Sequence, residues 1–261
     1  MNVTTLTDQY LRERLSKGTR DDGRDLFSFR NISVEIGKIP HAEGSAEVTF
    51  GNTKVLAGIK MDVGEPMRDK PDEGSMMTGA ELLPLAHHTF DSGPPSPAAV
   101  ELARVVDRGI RAANMIDVKK LFIEEGKSWS VFVDLYILNY DGNLFDSSAL
   151  AAAAALYTAR MPKYEEGKVI REGALGKLPI ENLSTSCTYA KIGNSILLDT
   201  NASEEIFADA RITIANDEQF VRAMQKGLGG AFKSSEVDMI VEKTFEKSKD
   251  LRKMVQSTRG E

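Results

Sequence analysis

Residues 139–148 read Asn-Tyr-Asp-Gly-Asn-Leu-Phe-Asp-Ser-Ser and join two contrasting patterns. Before them, residues 130–139 alternate, with Val131, Val133, Leu135 and Ile137 set against Phe132, Asp134 and Tyr136, the period of a strand. After them a helix is expected over 147–160, containing five consecutive alanines. Small residues on several faces predict close packing of that helix, most simply against a sheet. A turn that enters a helix offers free N–H groups and the positive end of the helix dipole, which suits an anion. Yet this turn holds no Arg, Lys or His, and Asp146 sits at the helix start. Aspartate there is a good cap and a poor host for phosphate. The shape is that of an anion site with the wrong charge, as in a relative of an enzyme that does not itself act as one.

Working outward, residues 4–17 form an amphipathic helix with Leu6, Tyr10, Leu11 and Leu15 roughly on one side. Arg20-Asp21-Asp22-Gly23-Arg24 is a charged turn closed by glycine. Strands are expected over 32–36, 46–50 and 54–61, the last two joined as a hairpin through Gly51-Asn52-Thr53. Residues 64–75 read as a loop. The segment 92–97, Ser-Gly-Pro-Pro-Ser-Pro, stops the chain and leads into a helix over 98–116. Pro162, Gly167, Gly173, Gly176 and Pro179 crowd residues 161–182, a linker region between lobes 1–160 and 183–261. Beyond it the spacing predicts strands over 186–192, 195–199 and 210–215, then helices over 217–227 and 235–254. Strands followed by helices define an α+β chain.

Composition narrows the function. The 261 residues are 41% hydrophobic and 28% charged, ordinary for a globular protein. No apolar run reaches the ~18 residues of a membrane span. The start, Met-Asn-Val-Thr-Thr-Leu-Thr, lacks the basic and apolar regions of a secretory signal, so a cytoplasmic location is expected. A single cysteine, Cys187, excludes an internal disulfide framework and reads as a buried structural thiol. The net charge of −6 argues against binding nucleic acid over the whole surface but leaves room for a local basic strip.

Such a strip exists. Arg104, Arg108 and Arg111 recur at i, i+4 and i+7 and share an arc of roughly 60° on the helix. Leu102, Val105, Val106 and Ile110 occupy the opposite arc. Read alone, the three guanidiniums are either a solvated face partly paired with Glu101 and Asp107, or a track for phosphates.

Other candidates are weaker. His87 and His88 are adjacent and therefore expected to point apart, and the remaining histidine, His41, is distant in sequence, so no metal site is expected. Asp141, Asp146, Glu124 and Glu125 read as caps and solvated carboxylates. Ser147 and Ser148 lack a histidine base and belong to the helix start. No cofactor is expected.

Several segments together resemble the RNase PH family of phosphate-dependent 3′→5′ exoribonucleases and nucleotidyltransferases. They are Arg20-Asp21-Asp22-Gly23-Arg24, Ala42-Glu43-Gly44-Ser45-Ala46, Phe50-Gly51-Asn52-Thr53-Lys54-Val55, the arginine helix and Asp141-Gly142, in that order. The resemblance covers nearly the whole chain and is nearest to the non-catalytic subunits of archaeal exosome rings. It implies a two-lobed fold built from βαβα-type units. It also implies a hexameric ring of three heterodimers with a catalytic RNase PH-type subunit, cap subunits with RNA-binding modules on one face, and single-stranded RNA as ligand. Active members hold phosphate with Gly-Gly-Thr-Arg after the Asp-Gly, where this chain has Asn143, Leu144 and Phe145. Phe145 thus stands in the place of the arginine. At the position of the catalytic aspartate an ungapped alignment puts Arg211, and a two-residue shift puts Asp209. In the non-catalytic subunits arginines four apart on the equivalent helix bind RNA. Arg104 and Arg108 match that spacing, with Arg111 an addition.

Overall fold

Alternating β-branched and aromatic residues build the first sheet of the computed structural model, which describes residues 3–172 and 176–258. The chain opens with α1 (Val3–Ser16), then β1 (Ile32–Ile36), β2 (Gly44–Phe50), β3 (Thr53–Gly64) and β4 (Ser75–Leu82). Next come α2 (Pro97–Ala112), a single 3-10 turn (Val118–Leu121), β5 (Phe122–Glu124), β6 (Lys127–Asn139) and α3 (Leu144–Thr158). Strands β1, β2, β3, β6 and β4 lie in that order, with β5 paired to β6. Only β4 runs parallel to its neighbour; the other pairings are antiparallel. The hairpin expected at Gly51-Asn52 is present, with Phe50 opposite Thr53.

Between the sheets lie the short pieces β7 (Arg160–Met161), β8 (Lys163–Glu165), β9 (Lys168–Ile170) and β10 (Gly176–Lys177). They pair as two small ribbons, β7 with β10 and β8 with β9. Gly173, part of the expected linker, and the extreme ends of both expected lobes lie outside the described residues. The second sheet uses β11 (Thr185–Ile192), β12 (Ser195–Leu198), β13 (Ala210–Asn216) and β14 (Val221–Gly227), ordered β12-β11-β13-β14 and wholly antiparallel. A one-turn helix α4 (Ala202–Glu205) precedes β13, and α5 (Ser234–Ser257) closes the chain.

Two assignments need correction. The helix expected over 217–227 is a turn followed by β14. The Asp217 carboxylate accepts the backbone N–H groups of Gln219 and Phe220 at 2.8 Å each, and this turn sends the chain back along β13. Strand β4 went unassigned, because Gly79 and the exposed Met77 interrupt the apolar alternation that its buried Met76 and Ala80 supply.

The alanine run explains the layering. Helix α3 packs on β2 and β3 on one side and β11 on the other, with α2 and α5 flanking it. Its residues 150–156 are all buried. At Gly44 in β2 an added Cβ would lie 2.4 Å from the Ala155 carbonyl oxygen, so sheet and helix backbones touch where neither carries bulk. The core runs continuously through both sheets. Helix α1 crosses over: Leu11 and Leu15 are buried with Ile192 and Leu197 of the second sheet, although α1 is followed in sequence by the strands of the first. No helix among the described residues is long and apolar enough to cross a membrane.

Candidate functional site

The turn into α3 is built by its own backbone needs. Gly142 has φ +80°, and a Cβ there would come within 2.5 Å of the backbone at Thr200 and Asn201. Thr53 Oγ1 donates to the Gly142 carbonyl at 2.7 Å and accepts the Asp141 N–H at 3.1 Å. The helix begins at Leu144, three residues before the expected start, and its cap is Asn143, at φ +53°, whose Oδ1 accepts the Asp146 N–H. Asp146 is therefore not the cap.

Asp146 is not a solvated carboxylate either. It is fully buried and accepts Thr188 N–H at 2.8 Å, Thr188 Oγ1 at 2.6 Å and Asn143 Nδ2 at 3.0 Å, which ties α3 to β11. Burial pushes its carboxyl up to about 7, against the pull of the Thr188 and Asn143 hydrogen bonds. An unfolded aspartate titrates near pH 3.9, so between about pH 4 and 7 the folded state binds more protons and stability falls as pH rises. Asp146→Asn is expected to flatten that part of the stability profile. Urea midpoints across the window measure it, and an unchanged slope contradicts the assignment.

Carboxylates also occupy the place an anion would take. Glu205 Oε1 accepts the Asn143 N–H at 2.7 Å and Glu205 Oε2 accepts the Tyr140 hydroxyl at 2.7 Å. Burial raises the Glu205 carboxyl, with the Asn143 and Tyr140 hydrogen bonds opposing. Asn143 Nδ2 additionally donates to Asp199 at 2.7 Å. The N–H and side-chain amide of Asn143 and the N–H of Asp146 are thus satisfied from within the chain.

Three arginines clamp this acidic cluster. Arg20, with no exposed surface, donates to Glu204 at 2.9 and 2.5 Å and to the carbonyls of Leu198 and Asp199 at 2.8 Å each. Arg24 and Arg30 both reach the buried Asp199, and Arg30 also donates to the Gly142 carbonyl. Despite its burial, Asp199 is held below the usual carboxylate range by the Arg30 guanidinium. Sequence reading missed this clasp. Its signal in the sequence is the charged segment 20–24, which reads only as a turn closed by glycine.

Phe145 and Arg211 meet in space. The Arg211 guanidinium lies 4.2 Å from the Phe145 ring centroid and donates to Glu101, in the second turn of α2, at 2.7 Å. Asp209 instead pairs with Arg12 of α1 at 2.8 and 3.0 Å and accepts the Gly193 N–H. Arg211 faces the turn and Asp209 does not. Leu144 is half-buried in the first turn of α3, and Ser147 Oγ donates to the Asn143 carbonyl at 2.9 Å.

Helix α2 starts as its sequence predicts. Ser96 Oγ caps the Ala99 N–H, Pro97 follows at the first position, and the helix ends at Ala112 rather than 116. Leu102, Val106, Gly109 and Ile110 are buried while Arg104, Arg108 and Arg111 are exposed; Val105 is half-buried. With Thr78 and Asp107 the arginines line an open groove of about 560 Å³ between α2 and β4. Arg108 donates to Gln225 at 2.6 Å, and Arg111 binds Asp107 at 2.6 Å and the Met76 carbonyl. Among the described residues, Arg104 has no hydrogen-bond or ionic partner.

His87 and His88 do not point apart: their ring centroids are 4.2 Å from each other. No cluster of three or more His, Cys, Asp or Glu suited to a metal occurs among the described residues. Exposed Glu124 pairs with Lys127, Glu125 is exposed, and Asp141 accepts Asn52 Nδ2 at 3.2 Å. Cys187 is buried and free, and burial pushes its thiol well up.

Two sheets sharing one buried helix, with a glycine turn at that helix's start, are the frame of an RNase PH-type domain pair. Residues 28–162 match domain 1 and residues 182–247 match domain 2 of the 3′ exoribonuclease family, and the chain belongs to that family. It is 47% identical over 247 residues to the exosome complex component Rrp42 of Thermococcus gammatolerans, covering 92% of this chain and 90% of that protein. Rrp42 of Pyrococcus abyssi is 45% identical over 259 residues, 97% of this chain and 94% of that one. The fold superposes on a chain of the Archaeoglobus fulgidus exosome, solved with RNA bound to the active site, with a TM-score of 0.90 and 40% identity, covering 96% and 98% of the two chains. A rice Rrp46 structure at 18% identity, with a TM-score of 0.71, shares the fold. The two-lobed α+β architecture is therefore the one the sequence pointed to.

Proposed function

We propose that this chain is a non-catalytic RNase PH-type subunit of an archaeal exosome. The observation that carries this reading is the α3 turn, where Glu205 holds the Asn143 N–H and Phe145 lies under Arg211. A phosphate arriving there would meet Glu205, which already holds the Asn143 N–H, and an arginine, Arg211, that is already paired with Glu101. The names of its relatives and the RNA-bound archaeal assembly it superposes on support membership in such a complex.

In this reading the chain pairs with a catalytic RNase PH-type subunit, three heterodimers close a ring, and cap subunits cover one face. The assembly works in the cytoplasm on single-stranded RNA, which is degraded 3′→5′ in the partner's active site. The two lobes divide at 161–182, with α1 lent to the second. Arg104, Arg108 and Arg111 hold RNA phosphates near that site, because planar guanidiniums bind phosphate through paired N–H groups.

Incubating the purified chain alone with single-stranded RNA and inorganic phosphate is expected to release no nucleoside diphosphate. Adding a catalytic RNase PH-type subunit restores release. Diphosphates from the chain alone would establish it as an enzyme in its own right, with Arg211 serving for the missing arginine.

A further inference from the structure

The arginine groove has two walls that a single loop connects. One wall is β4 and the other α2, and residues 83–96 connect them. That connection carries a cluster of rings. The His87 centroid lies 4.2 Å from His88, 5.6 Å from Phe90 and 5.1 Å from Tyr140, and Phe90 lies 5.4 Å from Tyr140. The cluster is pinned from behind. Tyr140 N–H donates to the Ala86 carbonyl, Phe90 N–H to the His87 carbonyl, and the Tyr140 hydroxyl to Glu205. His87 Nδ1 lies 2.8 Å from Thr89 Oγ1. His88 alone stands outside, exposed and without a hydrogen-bond or ionic partner among the described residues.

Arg211 lies between the cluster and the groove. It donates to Glu101, one turn before Arg104 on α2, and stands over Phe145, in the turn that directly follows Tyr140. A nucleic-acid strand whose phosphates follow Arg111, Arg108 and Arg104 along α2 therefore runs toward the ring cluster. A pre-ordered ring backed by other rings loses little freedom when a planar group settles on it, and every base has a face to offer.

We infer that His88, backed by His87, Phe90 and Tyr140, is a stacking site for one unpaired nucleobase at the end of the arginine groove. This rests on the RNA-binding reading of α2. The contact is with the π-face of the base, so it selects single strands over duplexes and is indifferent to base identity.

The test uses the full chain assembled with a catalytic RNase PH-type subunit and a single-stranded RNA carrying one 2-aminopurine, moved stepwise along the strand. Binding is read by anisotropy and stacking by quenching of that base. His88→Ala is expected to weaken binding about 5- to 10-fold and to abolish quenching at one register, with the salt dependence unchanged because no phosphate contact is lost. His88→Phe restores both. If His88→Ala binds and quenches as wild type while Arg104→Ala/Arg108→Ala is impaired, the stacking site is overturned and the groove stands. Rescue by His88→Lys but not His88→Phe would make the contact a phosphate contact and likewise overturn it. If the double arginine variant binds normally, the groove reading falls and this one with it.

Discussion

Arg20→Ala is expected to destabilise the folded chain by about 3–5 kcal/mol, the usual result of removing one partner from a buried ion pair. The change leaves Glu204 charged and 2% exposed, and strips the Leu198 and Asp199 carbonyls of their donor. Glu204 also closes the capping box of α4 with Asn201, so its displacement loosens the segment that carries Glu205 to the α3 turn. For a chain of this size the melting temperature should drop by about 10 °C. Urea unfolding gives the free energy directly, and a loss below about 1 kcal/mol would show that water replaces the guanidinium at little cost. The pair Arg20→Met and Glu204→Leu removes both charges together and should recover part of the loss.

Arg104→Ala/Arg108→Ala should weaken single-stranded RNA binding by the assembled ring about 10- to 100-fold at low salt, since each charge-assisted phosphate contact contributes on the order of 1 kcal/mol. Two phosphate contacts fewer should also flatten the plot of log affinity against log salt by about 1.4, at ~0.7 per single-strand phosphate. Both side chains are exposed and neither joins the core, so assembly and melting temperature should hold. Degradation should slow in parallel with binding. Arg111 is kept in this variant because it also binds Asp107 and the Met76 carbonyl of β4, and its loss would disturb that wall. Unchanged binding and salt slope would remove RNA from the role of α2.

What the sequence made legible was local. Five alanines after an Asp-Gly turn pointed to a helix packed on its flanks, and α3 is buried between two sheets. The 3.6-residue period exposed the arginine face of α2, because burial of Leu102, Val106 and Ile110 leaves Arg104, Arg108 and Arg111 no other side. What stayed hidden depends on partners far along the chain. Arg20 and Glu204 are 184 residues apart, and Asn143 meets Glu205 across 62. No period or motif relates such positions, so Arg20 reads as part of a charged turn and Asp146 as a cap. Strand β14 was misread for a related reason. It lies at a sheet edge with mixed exposure, and its state is decided by pairing with β13 rather than by its own pattern.

The crossing of α1 to the second sheet sets an order of events during synthesis. Arg12, Arg20 and Arg30 leave the ribosome first, yet their partners Asp209, Glu204 and Asp199 follow 197, 184 and 169 residues later. At about 5–20 residues per second the opening segment waits roughly ten to forty seconds for them. Through that interval Leu11 and Leu15 have nothing to cover them, since Ile192 and Leu197 are not yet made. Helix α1 therefore docks only after β11 and β12 have formed. Until it does, the nascent protein offers chaperones and proteases an amphipathic segment of nearly balanced charge.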